Sequence, residues 1–239
     1  NDHPSVYDVG SGMSYAVGDH LEKDGKLIPL DIHYIDPLAF HFNRILKKYK
    51  KKLPPIEFGM TEYLSAFIHD ASLITIQNAL DHSSAPIKGI VEALLALRKG
   101  GVLYLNHHPN EAEMEQYNVD EENGELVIWN QSEKICIGQL LGSFASVEVK
   151  RMDNGHIVAI VRRNGDATSL PERLRKYVDD KTDKAELCEV LLNYQYRNTS
   201  LARNLKGSIR FGVFNLIQLM AQMLPWSLKM RVKRLIKQA

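Results

Sequence analysis

The sequence has few of the features that mark several large classes of protein. Its 239 residues include only two cysteines, Cys136 and Cys188, which lie far apart and have no metal-ligand spacing. A disulfide framework and a cysteine zinc site are therefore not expected, and both thiols are predicted to be free in a reducing compartment. There is no run of about twenty apolar residues and no secretory signal pattern. Because these absences argue against secretion and against a transmembrane helix, the expected location is the cytoplasm.

A large excess of one charge sign is missing as well. The formal net charge at pH 7 is +1, which argues against a general nucleic-acid-binding protein. The charges are unevenly distributed, however, because residues 190–239 contain nine Lys or Arg and no Asp or Glu. Residues 1–189 therefore hold the other 21 basic residues and all 29 acidic ones, so an acidic body precedes a basic tail.

The stretch around which the chain is organised is 6–12, a short apolar strand that runs into a turn with two glycines, Gly10 and Gly12. Glycine admits backbone dihedrals that are closed to other residues and leaves no Cβ between the main chain and a ligand. At the carboxyl end of the first strand of an α/β sheet, such a turn suits a nucleotide-like cofactor. Ordinary β-turns also carry paired glycines, so this pattern alone leaves both interpretations open.

Strand-like and helix-like segments alternate through most of the chain. Further strands are predicted at 32–35, 56–59, 73–76 and 102–105, and a closing hairpin at 146–150 and 157–162. Helices are predicted at 15–21 (weakly), 37–49 and 86–97, with the lysine-rich stretch 47–52 as a solvated helix end. This alternation predicts an α/β fold, a Rossmann-like, open and mostly parallel sheet with helices on both faces and a C-terminal antiparallel hairpin.

Asp36 ends the second of these strands. A carboxylate at that position is placed to accept hydrogen bonds from the two ribose hydroxyls of a nucleoside. Because Pro37 follows, Asp36 is equally well placed to cap the next helix. Both roles are compatible with one carboxylate.

Four motifs in register resemble a class I S-adenosylmethionine-dependent methyltransferase, and the resemblance spans about residues 5–163. They are 8–12, Asp36, 78–82 and 97–103. The stretches 78–82 and 110–113 more narrowly resemble bacterial methyltransferases of surface-polysaccharide biosynthesis. The resemblance implies S-adenosylmethionine as the cofactor, with Asp8 orienting its ammonium group and Asp36 binding its ribose. The implied cofactor-binding set is Asp8, Gly10, Ser11, Gly12, Asp36, Met60, Thr61, Gln77 and Asn78.

The residues themselves favour this cofactor over a dinucleotide. A dinucleotide turn needs a third glycine and a helix N-terminus that faces pyrophosphate, but the third position here is Tyr15. S-adenosylmethionine has no phosphate and carries positive charge, which an acidic surface complements. The expected acidic residues are Asp8, Asp36, Glu62 and Asp81.

Methyl transfer to oxygen requires a group that removes the acceptor's proton. The candidates follow the fourth and fifth strands, with His107 as first choice, His82 as second and Asp81 to orient an imidazole. His108, Glu111 and Tyr117 are expected to contact the substrate. A packing or capping role is the alternative for each histidine. A metal site formed by His107, His108, Asp81 and Glu111 is conceivable, but no tight ligand spacing supports it, and no metal is expected.

The predicted domains are a methyltransferase domain at 1–163, with the insertion 106–142 as a substrate lid, and a helical, basic extension at 164–239. Within the insertion, a small hairpin is predicted at 125–130 and 134–137, with Tyr117 assigned to the lid and Trp129 to the core. Residues 201–239 combine apolar and basic positions in a way that resembles an interfacial membrane helix. The alternatives for this tail are packing on the domain and a homodimer contact.

The resulting hypothesis is an enzyme that O-methylates a sugar of a bacterial surface glycan or its lipid-linked precursor, held by its tail at the inner face of the cytoplasmic membrane. The expected partners are this glycan or a small-molecule acceptor and an anionic membrane surface, with no nucleic acid. Two alternatives stay open. One is a small-metabolite O- or N-methyltransferase with a dimerising tail, and the other is a non-catalytic binding module of the same fold.

Overall fold

The computed structural model describes residues 3–108, 117–130, 133–166 and 170–178, all of which belong to one compact unit, Asn1–Lys184. The strands are β1 (Ser5–Val9), β2 (His20–Lys23), β3 (Lys26–Pro29), β4 (Asp31–Asp36), β5 (Ile56–Phe58), β6 (Ala71–Gln77), β7 (Leu97–His107), β8 (Tyr117–Glu122), β9 (Glu125–Asn130), β10 (Lys134–Cys136), β11 (Ala145–Arg151) and β12 (Ile157–Arg163). The α-helices are α1 (Ala39–Lys48), α2 (Pro86–Ala96), α3 (Ile137–Leu141) and α4 (Glu172–Arg175), and 3₁₀ turns occupy Thr61–Ala66 and Gly142–Phe144.

The main sheet has seven strands in the order β11-β12-β7-β6-β1-β4-β5. The five strands from β7 to β5 are parallel, whereas β12 pairs antiparallel with β7 and β11 pairs antiparallel with β12. The β11–β12 hairpin and the mostly parallel, Rossmann-like sheet are as the sequence predicts. This mixed, mostly parallel sheet is a Rossmann-like arrangement.

Helices pack on both faces of this sheet, as predicted. Tyr34 and Ile35 are neighbours in β4 and therefore point to opposite faces. Ile35 belongs to a large apolar cluster that includes the buried face of α2, and Tyr34 belongs to a second cluster with Leu46 of α1. The β-branched residues of β6 are buried because the strand is central and covered on the α2 face, which explains the apolar run that identified it in the sequence.

The helix predicted at 15–21 is wrong, because the described residues between β1 and β2 contain no helix. The chain instead forms the two-stranded hairpin β2–β3, with His20 opposite Pro29. Asp24 and Gly25 close this hairpin with φ angles of +52° and +72°. Two consecutive left-handed residues favour a two-residue hairpin turn, and this local signal outweighs the weak helical pattern before it.

The insertion folds into a three-stranded antiparallel sheet in the order β10-β9-β8. The predicted β9–β10 hairpin is confirmed, and β8 is an additional strand. Val119, Leu126 and Ile128 are fully buried in the large apolar cluster. The assignment of Trp129 to the core is wrong, since this residue is 40% exposed. It pairs with Lys134 near the end of β9, beyond the apolar side chains of the strand.

No helix among the described residues is both long enough and apolar enough to cross a membrane. The predicted helical extension is described only as far as the short helix α4, and the tail 201–239 and Cys188 lie outside the described residues. Cys136 is a free, half-buried thiol.

Candidate functional site

A cavity of about 310 Å³ lies at the carboxyl ends of β1, β4 and β6. In open α/β sheets this is the edge at which ligands bind. Six residues from the sequence-based site lie around the cavity, namely Gly10, Asp36, Met60, Thr61, Asn78 and His82. Much of its wall is completed by the apolar side chain of Ala79, within the motif 78–82, and by those of Leu38 and Phe42, which no sequence motif identified.

The glycine turn is bonded to the end of β4 through three consecutive backbone N–H groups. Those of Gly10 and Ser11 donate to the carbonyl oxygen of Ile35, at 2.8 and 3.2 Å. That of Gly12 donates to Oδ2 of Asp36 at 3.0 Å. The main chain of the turn therefore has its donors occupied by the neighbouring strand.

Asp36 is buried and bridges the glycine turn to the start of α1. Its second oxygen, Oδ1, accepts the N–H of Leu38 at 2.7 Å. The residue immediately before α1 is Leu38, whose side chain makes no capping hydrogen bond, so Asp36 closes the turn that leads into the helix instead of capping it directly. Each carboxylate oxygen can accept a further hydrogen bond, so a hydroxyl in the cavity can also be bound.

Gly10 is required by close packing as well as by its backbone angle. Its φ is +69°, and a Cβ added there would lie 2.4 Å from Cβ of Ala79. The turn after β1 and the turn after β6 thus meet without a side chain between them. This contact forms the floor of the cavity.

Four members of the implied cofactor set, Asp8, Ser11, Gly12 and Gln77, are not among the residues that line the cavity. Asp8 is 2% exposed and accepts a 2.7 Å hydrogen bond from Oγ1 of Thr75. Burial raises the pKa of Asp8, and the bond from Thr75 only partly offsets this increase. Gln77 lines a separate groove together with Thr75. Ser11 is buried, and its hydroxyl has no partner.

Glu62 holds the loop between β6 and α2 through hydrogen bonds. Its Oε1 accepts hydrogen bonds from the Ser83 hydroxyl at 2.7 Å, from the Ser84 N–H at 2.9 Å and from the Ser84 hydroxyl at 3.0 Å. The sequence identified Glu62 only as one acid among four. The serine pair just before Pro86 was the available signal, since Ser commonly binds backbone or carboxyl groups at a helix start.

Asp81, His82 and His107 come together, as the sequence predicts. Oδ1 of Asp81 lies 3.0 Å from Nε2 of His107 and 4.0 Å from Nε2 of His82. Burial raises the pKa of Asp81, but the contact with His107 and the charges of both imidazoles lower it by more, so the net pKa lies below the usual value. His107 is 4% exposed, whereas the His82 side chain is 58% exposed and lines the cavity.

Of the three predicted substrate residues, only His108 can be placed. Its N–H donates to Oδ1 of Asn78 at 2.7 Å, and its ring packs edge-on against His156, with the ring centroids 5.0 Å apart. Glu111 lies outside the described residues. Tyr117 begins β8, but its side chain also lies outside them.

Among the described residues, four buried side-chain atoms lack a hydrogen-bond partner. They are Oγ of Ser11, Oδ2 of Asp81, Nε2 of His107 and Nδ1 of His108; the contact of Nε2 with Asp81 is close but is not an aligned hydrogen bond. All four residues lie at the carboxyl-end edge of β1, β6 and β7. Because buried polar atoms are normally paired, this concentration is typical of a site that accepts polar ligand groups or water.

No protein-family model and no curated protein matches the chain. Among solved structures, it is similar to an S-adenosylmethionine-bound amino pentose methyltransferase of Micromonospora echinaspora, with 10% identity, 68% of this chain and 84% of the other covered, and a TM-score of 0.42. It is also similar to a sugar N-methyltransferase of a Streptoalloteichus species, with 11% identity, 68% and 81% covered, and a TM-score of 0.43. The fold itself follows from the strand order given above.

Proposed function

We propose that the chain is an S-adenosylmethionine-dependent methyltransferase. The observation that carries this proposal is that the glycine turn and Asp36 line one cavity, with Gly12 bonded to the Asp36 carboxylate. A nucleoside can therefore lie over the bare main chain at Gly10 while its ribose hydroxyls reach the carboxylate.

The occupied N–H groups of the glycine turn argue for a ligand without phosphate. Phosphate binding at such a turn uses free backbone donors and the N-terminus of the following helix. Here the donors of Gly10, Ser11 and Gly12 bond to β4, and the next regular element is the strand β2. A dinucleotide would find neither feature, whereas S-adenosylmethionine requires neither.

The residues around the cavity fit the parts of this cofactor. Leu38, Phe42 and Met60 provide apolar surface for an adenine ring. Asp36 and Glu62 are buried carboxyl residues, which suit a ligand that carries positive charge. When bound, S-adenosylmethionine supplies an electrophilic methyl group on a sulfonium.

The chain itself must orient the acceptor and take up its proton. We assign this role to the histidines around Asp81. His82 lines the cavity, and the Asp81 carboxylate contacts His107 behind it. The Asp81 carboxylate can hold the imidazole of His107 in a fixed orientation for a role in proton transfer.

We further propose that the acceptor is a sugar hydroxyl of a bacterial surface glycan or its lipid-linked precursor. The support is the narrower sequence resemblance at 78–82 and 110–113 and the basic, apolar tail. The lid role of the insertion, with Tyr117 and Glu111 near the acceptor, belongs to the same proposal.

Calorimetric titration of the full chain with S-adenosylmethionine and S-adenosylhomocysteine tests the cofactor assignment. Both ligands should bind the wild type, and Asp36→Asn should weaken binding at least about tenfold, as expected for a lost charge-assisted hydrogen bond. The matched control is Asp31→Asn at the other end of β4, where the side chain is exposed and distant from the cavity. Absence of binding to the wild type, or equal weakening by both substitutions, would refute the assignment.

A further inference from the structure

Asn78 joins the wall of the cavity to the end of β7. Its backbone N–H donates to the carbonyl oxygen of Asn106 at 2.9 Å, which extends the parallel pairing of β6 with β7 by one residue. Its side-chain Oδ1 accepts the N–H of His108 at 2.7 Å. Both of these contacts are made with one short segment, 106–108.

The backbone of Asn78 is left-handed, with φ at +45°. Other described non-glycine residues share this feature, but they are Asp24, Lys50, Asp70 and Asn123, none of which lines the cavity. Asparagine tolerates this conformation better than most residues. The turn at Asn78 brings Ala79 against Gly10, so one residue both closes the cavity floor and reaches across to His108.

The segment that Asn78 holds contains the histidine that contacts Asp81. Nδ1 of His107 lies 3.0 Å from the carbonyl oxygen of His108, and its Nε2 lies 3.0 Å from Asp81. Displacement of His108 would therefore remove the Nδ1 contact that helps to hold the ring of His107 beside Asp81.

We propose that Asn78 is a positioning residue that couples the cofactor cavity to the histidine pair, His107 and His108, through its side-chain oxygen. This inference rests on the proposed function, because it treats the cavity as the cofactor site. A ligand over Gly10 contacts the Asn78–Ala79 turn, and the bond from Asn78 to His108 transmits that contact to the segment where the acceptor's proton is removed.

Three substitutions separate this role from a purely conformational one. Asn78→Gly keeps the left-handed angle but removes the oxygen, Asn78→Ala removes both, and Asn78→Asp keeps the angle and an acceptor for the His108 N–H. If only the backbone angle at position 78 matters, Asn78→Gly should behave as the wild type does. If the side-chain oxygen matters, Asn78→Asp should be the only one of the three variants that does so.

The matched control is Asn123→Gly. Asn123 is also left-handed, with φ at +53°, but it lies exposed in the β8–β9 turn.

The measurement is amide hydrogen exchange and imidazole NMR on the full chain, with and without S-adenosylhomocysteine. In the wild type, Asn78→Asp and Asn123→Gly, the ligand should slow exchange at His108 and shift the ring signals of His107. In Asn78→Gly and Asn78→Ala, unliganded exchange at His108 should be about tenfold faster, and the response to bound ligand should be lost.

A response that persists in Asn78→Gly while the ligand binds, or one that is lost in Asn78→Asp, would overturn the proposal. Failure of S-adenosylhomocysteine to bind the wild type would instead refute the proposed function. The unliganded exchange rates at His108 would still report whether the Asn78 oxygen holds this segment.

Discussion

Asp8 and Asp81 are both buried carboxyl residues near the carboxyl edge of the sheet, yet their pKa values move in opposite directions. Burial raises the pKa of Asp8, and the hydrogen bond from the uncharged hydroxyl of Thr75 only partly offsets this increase. Burial also acts on Asp81, but the neighbouring imidazoles more than offset it and lower the pKa. The difference comes from the residues that face each carboxyl, not from the depth of burial.

These shifts predict opposite effects of pH on stability. A lowered folded-state pKa stabilises the protein above the unfolded value, and this contribution is lost as pH falls through the folded pKa. Asp81→Asn should therefore destabilise the protein at neutral pH, and the difference should shrink below about pH 4.

A raised folded-state pKa has the reverse consequence, because stability is lost as pH rises through it. Asp8→Asn should consequently gain stability relative to the wild type as pH rises from about 3 to about 7.

Urea unfolding of the wild type and both variants across this pH range measures the effect. The two differences in unfolding free energy should change with opposite sign. Parallel curves for the two variants would contradict the assigned causes of the pKa shifts.

At the scale of elements, both ends of α2 are stabilised by side chains from distant parts of the chain. The residue before it, Ala85, and the residue after it, Leu97, cannot cap it through their side chains. Glu62 instead brings a carboxyl to the loop at its N-terminus through Ser83 and Ser84. At the other end, the buried guanidinium of Arg163 donates to the carbonyl oxygens of the last turn. These charges complement the dipole of the helix.

Replacement of Arg163 by Met should destabilise the domain by roughly 2 to 3 kcal/mol, because buried carbonyl oxygens would lose a charged donor. The carbonyl oxygens that Arg163 contacts are those of Leu94, Leu95, Leu97 and Gly165. Arg162→Met is the matched control, since the Arg162 side chain is exposed and lies 3.3 Å from the Gly100 carbonyl oxygen. That change should stay within about 0.5 kcal/mol. Urea unfolding at constant pH measures the free energy of unfolding of both variants. Equal losses of stability in the two variants would rule out the capping role of Arg163.

For the whole molecule, the uneven distribution of charge makes the basic tail a candidate for binding an anionic surface. Five basic residues lie close together near its end, namely Lys229, Arg231, Lys233, Arg234 and Lys237. Each basic residue at an anionic lipid surface contributes about 1 kcal/mol. Their joint replacement by Gln should abolish flotation of the full chain with anionic vesicles, whereas the wild type should float with anionic but not with neutral vesicles.

A matched control exists at the end of α1. The lysines in 47–52 are five in number and exposed, and their replacement by Gln removes the same charge from the body of the protein. This variant should float as the wild type does. If both variants lose flotation equally, net charge and not the tail causes binding, and if the wild type never floats, the membrane role is wrong.

Much of the fold follows from local patterns. Apolar runs identify β1, β4, β6 and β7, and the turn Asp153–Gly155 identifies the β11–β12 hairpin, because strand burial and turn geometry depend on near neighbours in the chain. The prediction of a helix at 15–21 was wrong because two local signals in that region conflict. A weak periodic signal there competes with a stronger turn signal at Asp24 and Gly25, and only the latter fixes backbone angles.

The candidate site likewise has features that the sequence predicts and contacts that it does not. The sequence alone determined that Gly10, Asp36 and Asn78 follow strands, and parallel strands bring their carboxyl ends to one edge. It could not determine that Asp8 turns to Thr75, that Glu62 holds the serine pair or that Asn78 bonds to His108. These contacts join residues 67, 21 or 22, and 30 positions apart. Only the tertiary structure decides them, because they depend on which side chains strand register and packing bring within hydrogen-bond distance.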